Sequence, residues 1–146
     1  MKKIILIIAA ISLLASCKTV KTQGIQGTVN WISGNQMPGP DKKNNAAPKG
    51  VVREIRIYQA IFIGKVQSHD GSFFDETIGT PILVVKSLED GTFKASLPPG
   101  KYSVFTKEAR GLFANQYDGE GCINCVEVKP NEFTPVIISV DYDAAY

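Results

Sequence analysis

Residues Glu89–Val104 decide the fold, and they read EDGTFKASLPPGKYSV. The Asp-Gly pair near their start is a strong signal for a turn between two β-strands. Phe93, Ala95 and Leu97 then alternate with polar residues, as expected for a strand with one buried face. Pro98-Pro99-Gly100 predicts a tight turn, because proline presets φ and glycine accepts positive φ. The stretch therefore predicts a strand, a turn and a returning strand over residues 101–107.

Further short strands are predicted on both sides of this hairpin. They cover residues 25–32, 53–63, 64–76 (with a turn at 69–71), 82–88, 126–129 and 133–141. All 13 glycines and all 8 prolines follow residue 23 and separate these runs, and no amphipathic helix stands out. Residues 33–50 and 109–121 are expected to be loops. The pattern predicts an all-β fold, a two-sheet sandwich of about seven or eight short strands.

The first sixteen residues predict a lipoprotein signal peptide. Lys2 and Lys3 precede an apolar run from Ile4 to Leu14, which is shorter than the roughly 20 residues that span a bilayer. The run ends in Leu14-Ala15-Ser16-Cys17, which resembles the bacterial lipobox, whose cysteine takes a diacylglycerol. We therefore expect lipidation at Cys17, with acyl chains such as palmitate, a tether over 17–23 and one domain over 24–146. A simple secretory signal is the alternative.

The lipobox predicts a location in the cell envelope. The net charge of the chain argues against nucleic-acid binding. Lys18 follows the lipobox without an acidic pair, which resembles Gram-negative lipoproteins delivered to the outer membrane and facing the periplasm; surface exposure stays open. Lys2 and Lys3 account for the whole net charge of +2, so the remainder is neutral. Nucleic-acid binding requires clustered basic residues that neutralise phosphates.

The hairpin region resembles the carboxypeptidase regulatory-like domain, a transthyretin-like (Ig-like) β-sandwich. The shared pattern is Asp-Gly-x-Phe, a short strand, Leu-Pro-Pro-Gly-x-Tyr and a second strand. Residues 27–29, 126–128 and 136–140 are similar to the family's first and last strands, whereas residues 37–50 and 59–88 are longer than in the family. The resemblance implies a non-catalytic binding or spacer module. Its matching residues are architectural: Gly91, Phe93, Leu97, Pro98, Gly100 and Tyr102.

Cys122 and Cys125 are the pair with the most chemical potential. If Cys17 is lipidated, they are the two remaining thiols of the chain. An oxidising compartment favours a local disulfide between them. Two free thiols without a chemical role are the other structural interpretation. A thiol–disulfide redox centre is an alternative, and it would need an acidic, exposed thiolate. A zinc site is a further alternative, although tetrahedral zinc takes four ligands and the sequence offers this pair and His69.

Leu112, Phe113 and Tyr117 are candidate partner-binding residues, because recognition often lies in loops on a rigid sandwich. The alternative is that Leu112 and Phe113 close the core. His69 lacks the serine elbow of a hydrolase, and Asp118–Gly121 lacks the spacing of an EF-hand. We interpret both as solvated turns, and Asp141 and Asp143 as a solvated strand face.

These observations predict a lipid-anchored envelope lipoprotein that acts as a non-catalytic binding or structural module. We expect no cofactor, no metal and no catalytic residue. The expected partners are the membrane, through Cys17, and an envelope protein or glycan. The alternatives are a periplasmic thiol–disulfide protein that uses Cys122 and Cys125, and a metal-binding sandwich.

Overall fold

A computed structural model describes residues 23–37, 39 and 48–146, and the strands there form two sheets. The signal peptide, Cys17 and the tether up to residue 22 lie outside the described residues. One 3₁₀ turn, Ile63–Lys65, is the helical segment of the described part, so the predicted all-β class is confirmed. The eleven strands are β1 (Gly24–Asn35), β2 (Lys49–Gly50), β3 (Glu54–Gln59), β4 (Ser68–His69), β5 (Phe73–Phe74), β6 (Leu83–Lys86), β7 (Thr92–Ser96), β8 (Gly100–Glu108), β9 (Gly111–Phe113), β10 (Cys125–Val128) and β11 (Phe133–Ala145).

Strand β1 is the centre of the smaller sheet. The parallel strand β11 pairs along one side of it, with Val29 opposite Ile138. On the other side, antiparallel β7 pairs with its first half and β2 with its second half. The larger sheet has the order β4-β5-β9-β8-β3-β6, and β10 pairs with β8. The count exceeds the predicted one because several strands are only two or three residues long.

The main core lies between the sheets. Ile25 and Val29 of β1 are fully buried there, as are Ile55 and Ile57 of β3. A second buried cluster includes Phe74, Phe105 and Ile123, and Ile61, Val66 and Ile78 of the long 60–82 connection pack against it. Strand β8 therefore has neighbours on both faces, which explains why its middle is buried without alternation.

The 89–104 region matches the predicted burial but not the predicted pairing. Phe93, Ala95 and Leu97 are 6%, 2% and 1% exposed, as their alternation predicts. However, β7 pairs with β1 in the smaller sheet, whereas β8 belongs to the larger sheet. The Pro98-Pro99 turn, and likewise the Asp90-Gly91 turn after β6, therefore carry the chain from one sheet to the other. Two strands separated by such a turn face each other across the core.

Three further expectations need correction. Residues 33–50 are not all loop, since β1 continues to Asn35 beside the end of β11, and Lys49–Gly50 is β2; residues 38 and 40–47 lie outside the described part. Residues 109–121 contain the strand β9. The strand predicted over 53–63 ends at Gln59, and Ile63 lies in the 3₁₀ turn, where it is 48% exposed. Within residues 23–37, 39 and 48–146 there is no helix long and apolar enough to cross a membrane.

Candidate functional site

Cys122 and Cys125 are joined by a disulfide, with their Cα atoms 5.7 Å apart. Cys122 is fully buried, whereas Cys125 is half-buried and lines a small cleft of about 140 Å³. Asn124 between them has a left-handed φ of 41°, and its Oδ1 accepts a 2.8 Å hydrogen bond from the backbone of Gln116. Local backbone geometry thus brings the two cysteines together.

The carboxylate of Asp118 organises the turn before the disulfide. Its Oδ1 accepts hydrogen bonds from the backbone N–H groups of Glu120 (2.9 Å) and Cys122 (2.8 Å). Lys101 Nζ lies 2.7 Å from its Oδ2. The contact with Lys101, followed by the hydrogen bond from Cys122, lowers the pKa of Asp118 below its ordinary value. Asp118 therefore stabilises the turn before the disulfide, whereas the sequence alone indicated only a solvated turn.

Asp118 and the two cysteines also form a group of possible metal ligands. Their ligand atoms lie within 4.8 Å of one another. The two sulfur atoms are bonded to each other, however, and zinc is bound by thiolates. In the disulfide form the cluster offers one carboxylate, which Lys101 and two backbone N–H groups already occupy.

The candidate loop residues do not form a common surface. Leu112 and Phe113 lie in β9 and are 0% and 1% exposed, so their side chains are part of the core and cannot contact a partner. Tyr117 is 39% exposed, and its hydroxyl donates to the carbonyl of Gly71. Leu112 and Phe113 are buried because β9 lies between β5 and β8 and pairs with both strands.

The other sequence candidates lie at separate places. His69 Nε2 is 3.0 Å from Asp75 Oδ1, and both side chains are exposed. Asp141 accepts hydrogen bonds from Asn115 (2.8 Å) and from the hydroxyl of Tyr146 (2.9 Å). The structure therefore brings none of these residues into one site with the cysteine pair.

A polar network that the sequence analysis missed lies at one end of the sandwich. Glu108 at the end of β8 has a side chain that is only 4% exposed, and Arg53 contacts it at 2.9 Å. The Tyr142 hydroxyl donates to the same carboxylate at 3.1 Å. Trp31 and Phe73 each pack edge-on to Tyr142, with ring centroids 5.1 Å apart. No local motif marks this network, because its members are far apart in the sequence.

An open trough of about 650 Å³ crosses the outer face of the smaller sheet. Two cross-strand pairs form its floor, Gln26 opposite Lys94 and Thr28 opposite Thr92. The trough is lined by Gln26, Gly27, Thr28, Lys86, Leu88, Thr92, Phe93, Lys94 and Pro135. No acidic residue is among them, and its volume lies within the range of roughly 300–1,000 Å³ typical of ligand sites. The trough is therefore a candidate binding surface of the described part of the chain.

Comparison of the chain with protein-family models, with curated proteins and with solved structures gives no match.

Proposed function

We propose that this protein is a lipoprotein of the bacterial envelope, held at a membrane by a lipid on Cys17, and that it acts as a non-catalytic binding or structural module. In this proposal the sandwich is of the carboxypeptidase regulatory-like type, and an envelope protein or glycan is the partner. The observation that carries the proposal is the place where the chain enters the sandwich.

The chain is fixed to one end of the sandwich from Gln23 onward. Leu97 donates its backbone N–H to the carbonyl of Gln23 at 3.2 Å, and Asn131 donates to the Gln23 side chain at 3.0 Å. Gly24 donates to the carbonyl of Glu132 at 3.0 Å. The tether therefore joins the sandwich beside the Pro98-Pro99 turn and the turn between β10 and β11. We call this end the entry end.

A lipid on Cys17 would keep the entry end close to the membrane. The six residue-to-residue steps from Cys17 to Gln23 span at most about 20 Å when extended, at about 3.5 Å per step. Each buried CH₂ of an acyl chain contributes about 0.8 kcal/mol, so two or more chains anchor stably. The Arg53–Glu108 end would then face away from the membrane, and the lateral faces of both sheets would be open to partners.

The geometry of the cysteine pair favours a structural disulfide over the rival redox role. An attacking thiolate could reach the half-buried Cys125 sulfur, and the bond would break to release Cys122 as a thiolate. That thiolate would be fully buried and within 4.8 Å of the Asp118 carboxylate, and both conditions disfavour negative charge. Redox-active cysteines have acidic, accessible thiolates in electropositive surroundings.

Fractionation of cells that carry Cys17→Ala tests the anchor. We expect the unaltered protein in the membrane fraction, released by detergent, with an acylated Cys17 by mass spectrometry, and the variant in the soluble fraction. The matched control is Cys122→Ser with Cys125→Ser, which removes the other thiols and should stay with the membrane. Membrane retention of Cys17→Ala would refute the proposed anchor.

A further inference from the structure

We propose that the trough on the outer face of the smaller sheet binds an acidic, partly apolar segment of a partner polypeptide. The inference rests on the proposed binding role and adds the class of ligand.

The trough carries positive charge that the protein does not neutralise. Lys86 and Lys94 are both exposed, and neither forms an ion pair with any described residue; Lys94 Nζ instead lies 3.9 Å from the centroid of the Phe133 ring. Glu54, which faces Lys86 across the β3–β6 pair, is held by Arg56 at 2.7 Å. The two ammonium groups are therefore available to carboxylates of a ligand.

Two further acidic residues lie in the turn before β7: Glu89, which is exposed, and Asp90, whose carboxylate is occupied. Asp90 accepts hydrogen bonds from the backbone N–H of Thr92 at 2.9 Å and from its hydroxyl at 2.7 Å. Both bonds stay within the turn that leads into β7. The charged side chains that line the trough are thus Lys86 and Lys94, and both are positive.

Apolar side chains beside the lysines favour a polypeptide over an acidic glycan. Leu88 is 65% exposed on the lining, and Ile137, adjacent to Thr28 in the sheet, is 67% exposed. A peptide brings apolar side chains to cover these groups, whereas an acidic polysaccharide brings none. The trough also offers no open aromatic face for a sugar ring, since Phe93 is 6% exposed and Lys94 lies over Phe133.

The segment would cross the strands rather than extend the sheet. The free edge of β11 is a poor template for pairing, because Pro135 has no N–H and the Ser139 carbonyl accepts a 3.1 Å hydrogen bond from Asn115. Strands are spaced about 4.8 Å apart, so a path from β11 across β1 to β7 is about 10 Å long and holds about three extended residues. The hydroxyl of Thr28 can donate a hydrogen bond to the ligand backbone, and the Thr92 hydroxyl, which donates to Asp90, can accept one from it.

Binding can be tested by NMR titration of the ¹⁵N-labelled full chain in neutral detergent. The probes are three synthetic hexapeptides with blocked ends: alternating Asp and Leu, alternating Lys and Leu, and alternating Asp and Ser. We expect saturable shifts at Gln26, Thr28, Thr92 and Lys94 with the Asp/Leu peptide, and at least tenfold weaker binding of the other two. Lys86→Glu with Lys94→Glu should reduce the affinity for the Asp/Leu peptide at least tenfold. Lys65→Glu with Lys129→Glu, the same charge change at exposed sites outside the trough, should leave it unchanged.

Absence of saturable shifts in the trough would overturn the inference, as would unchanged affinity in Lys86→Glu with Lys94→Glu. Equal binding of the Asp/Ser peptide would remove the apolar requirement and with it the choice of a polypeptide. Tighter binding of an acidic oligosaccharide, or of vesicles with anionic lipid, at the same residues would also replace the polypeptide as occupant. None of these results affects the fractionation of Cys17→Ala, so the ligand and the anchor fail separately.

Discussion

Arg53 donates its Nε–H to both carboxylate oxygens of Glu108, at 2.9 and 3.1 Å, although 55 residues separate the two. The Tyr142 hydroxyl donates to the same group, so three distant segments meet at one buried charge. Burying a carboxylate is costly unless it is paired and hydrogen-bonded. The network therefore fixes the end of the sandwich opposite the entry end.

Replacing Glu108 with glutamine should lower the free energy of unfolding by about 2 kcal/mol, because Arg53 would lose its charged partner in a mostly buried position. Denaturant unfolding measures the change. Glu89→Gln is the matched control, since Glu89 is exposed in a turn, and it should stay within about 0.5 kcal/mol of the unaltered protein. Equal midpoints for the two variants would show that the pair contributes nothing.

Replacing Gly91 with alanine should destabilise the fold by about 1–3 kcal/mol, since Gly91 has a φ of 82° and a Cβ there would overlap the Val29 carbonyl oxygen. Thermal unfolding measures the loss. Gly119→Ala provides the comparison, because a Cβ at Gly119 meets nothing within 4 Å. Similar melting temperatures for both variants would contradict our account of the turn before β7.

Replacing Asp118 with asparagine should make stability less dependent on acidic pH. Hydrogen bonds from Lys101 and the Cys122 backbone hold the pKa of Asp118 below its ordinary value of 3.8, so the ionised group stabilises the folded state above that value. This contribution is lost as the pH falls through the lowered pKa. The difference in melting temperature between the protein and the variant should thus be present at pH 7 and vanish in strong acid. A difference that does not depend on pH would mean that the Asp118 charge has no part in it.

Single cysteine variants should differ in reactivity. With Cys122→Ala the remaining Cys125 is half-buried at a cleft, whereas with Cys125→Ala the remaining Cys122 is fully buried. Iodoacetamide should therefore modify Cys125 about tenfold or more faster than Cys122 in the folded protein. Mass spectrometry of the modified peptides gives both rates, and the same measurement in urea should show them converging. Faster modification of Cys122 would reverse our assignment of the accessible sulfur.

The sequence could predict features that depend on neighbouring residues. The alternation of Phe93, Ala95 and Leu97 is enough to predict a buried face. The spacing of Cys122 and Cys125 made a local disulfide one of the interpretations of this pair. Glycines and prolines mark the turns because proline restricts the range of φ and glycine permits positive φ. These properties are set within a few residues and hold whatever the strand pairs with.

Only the tertiary structure decided which strands pair with one another. β7 and β8 are joined by the Pro98-Pro99 turn, yet they belong to different sheets, and Leu112 is buried because β9 fits between two other strands. The trough likewise arises where Thr28 meets Thr92 and Gln26 meets Lys94. A turn motif fixes backbone angles over three or four residues, whereas strand pairing is selected by burial of apolar side chains from the whole chain. That is why composition and spacing determined the all-β class, and long-range packing determined the site.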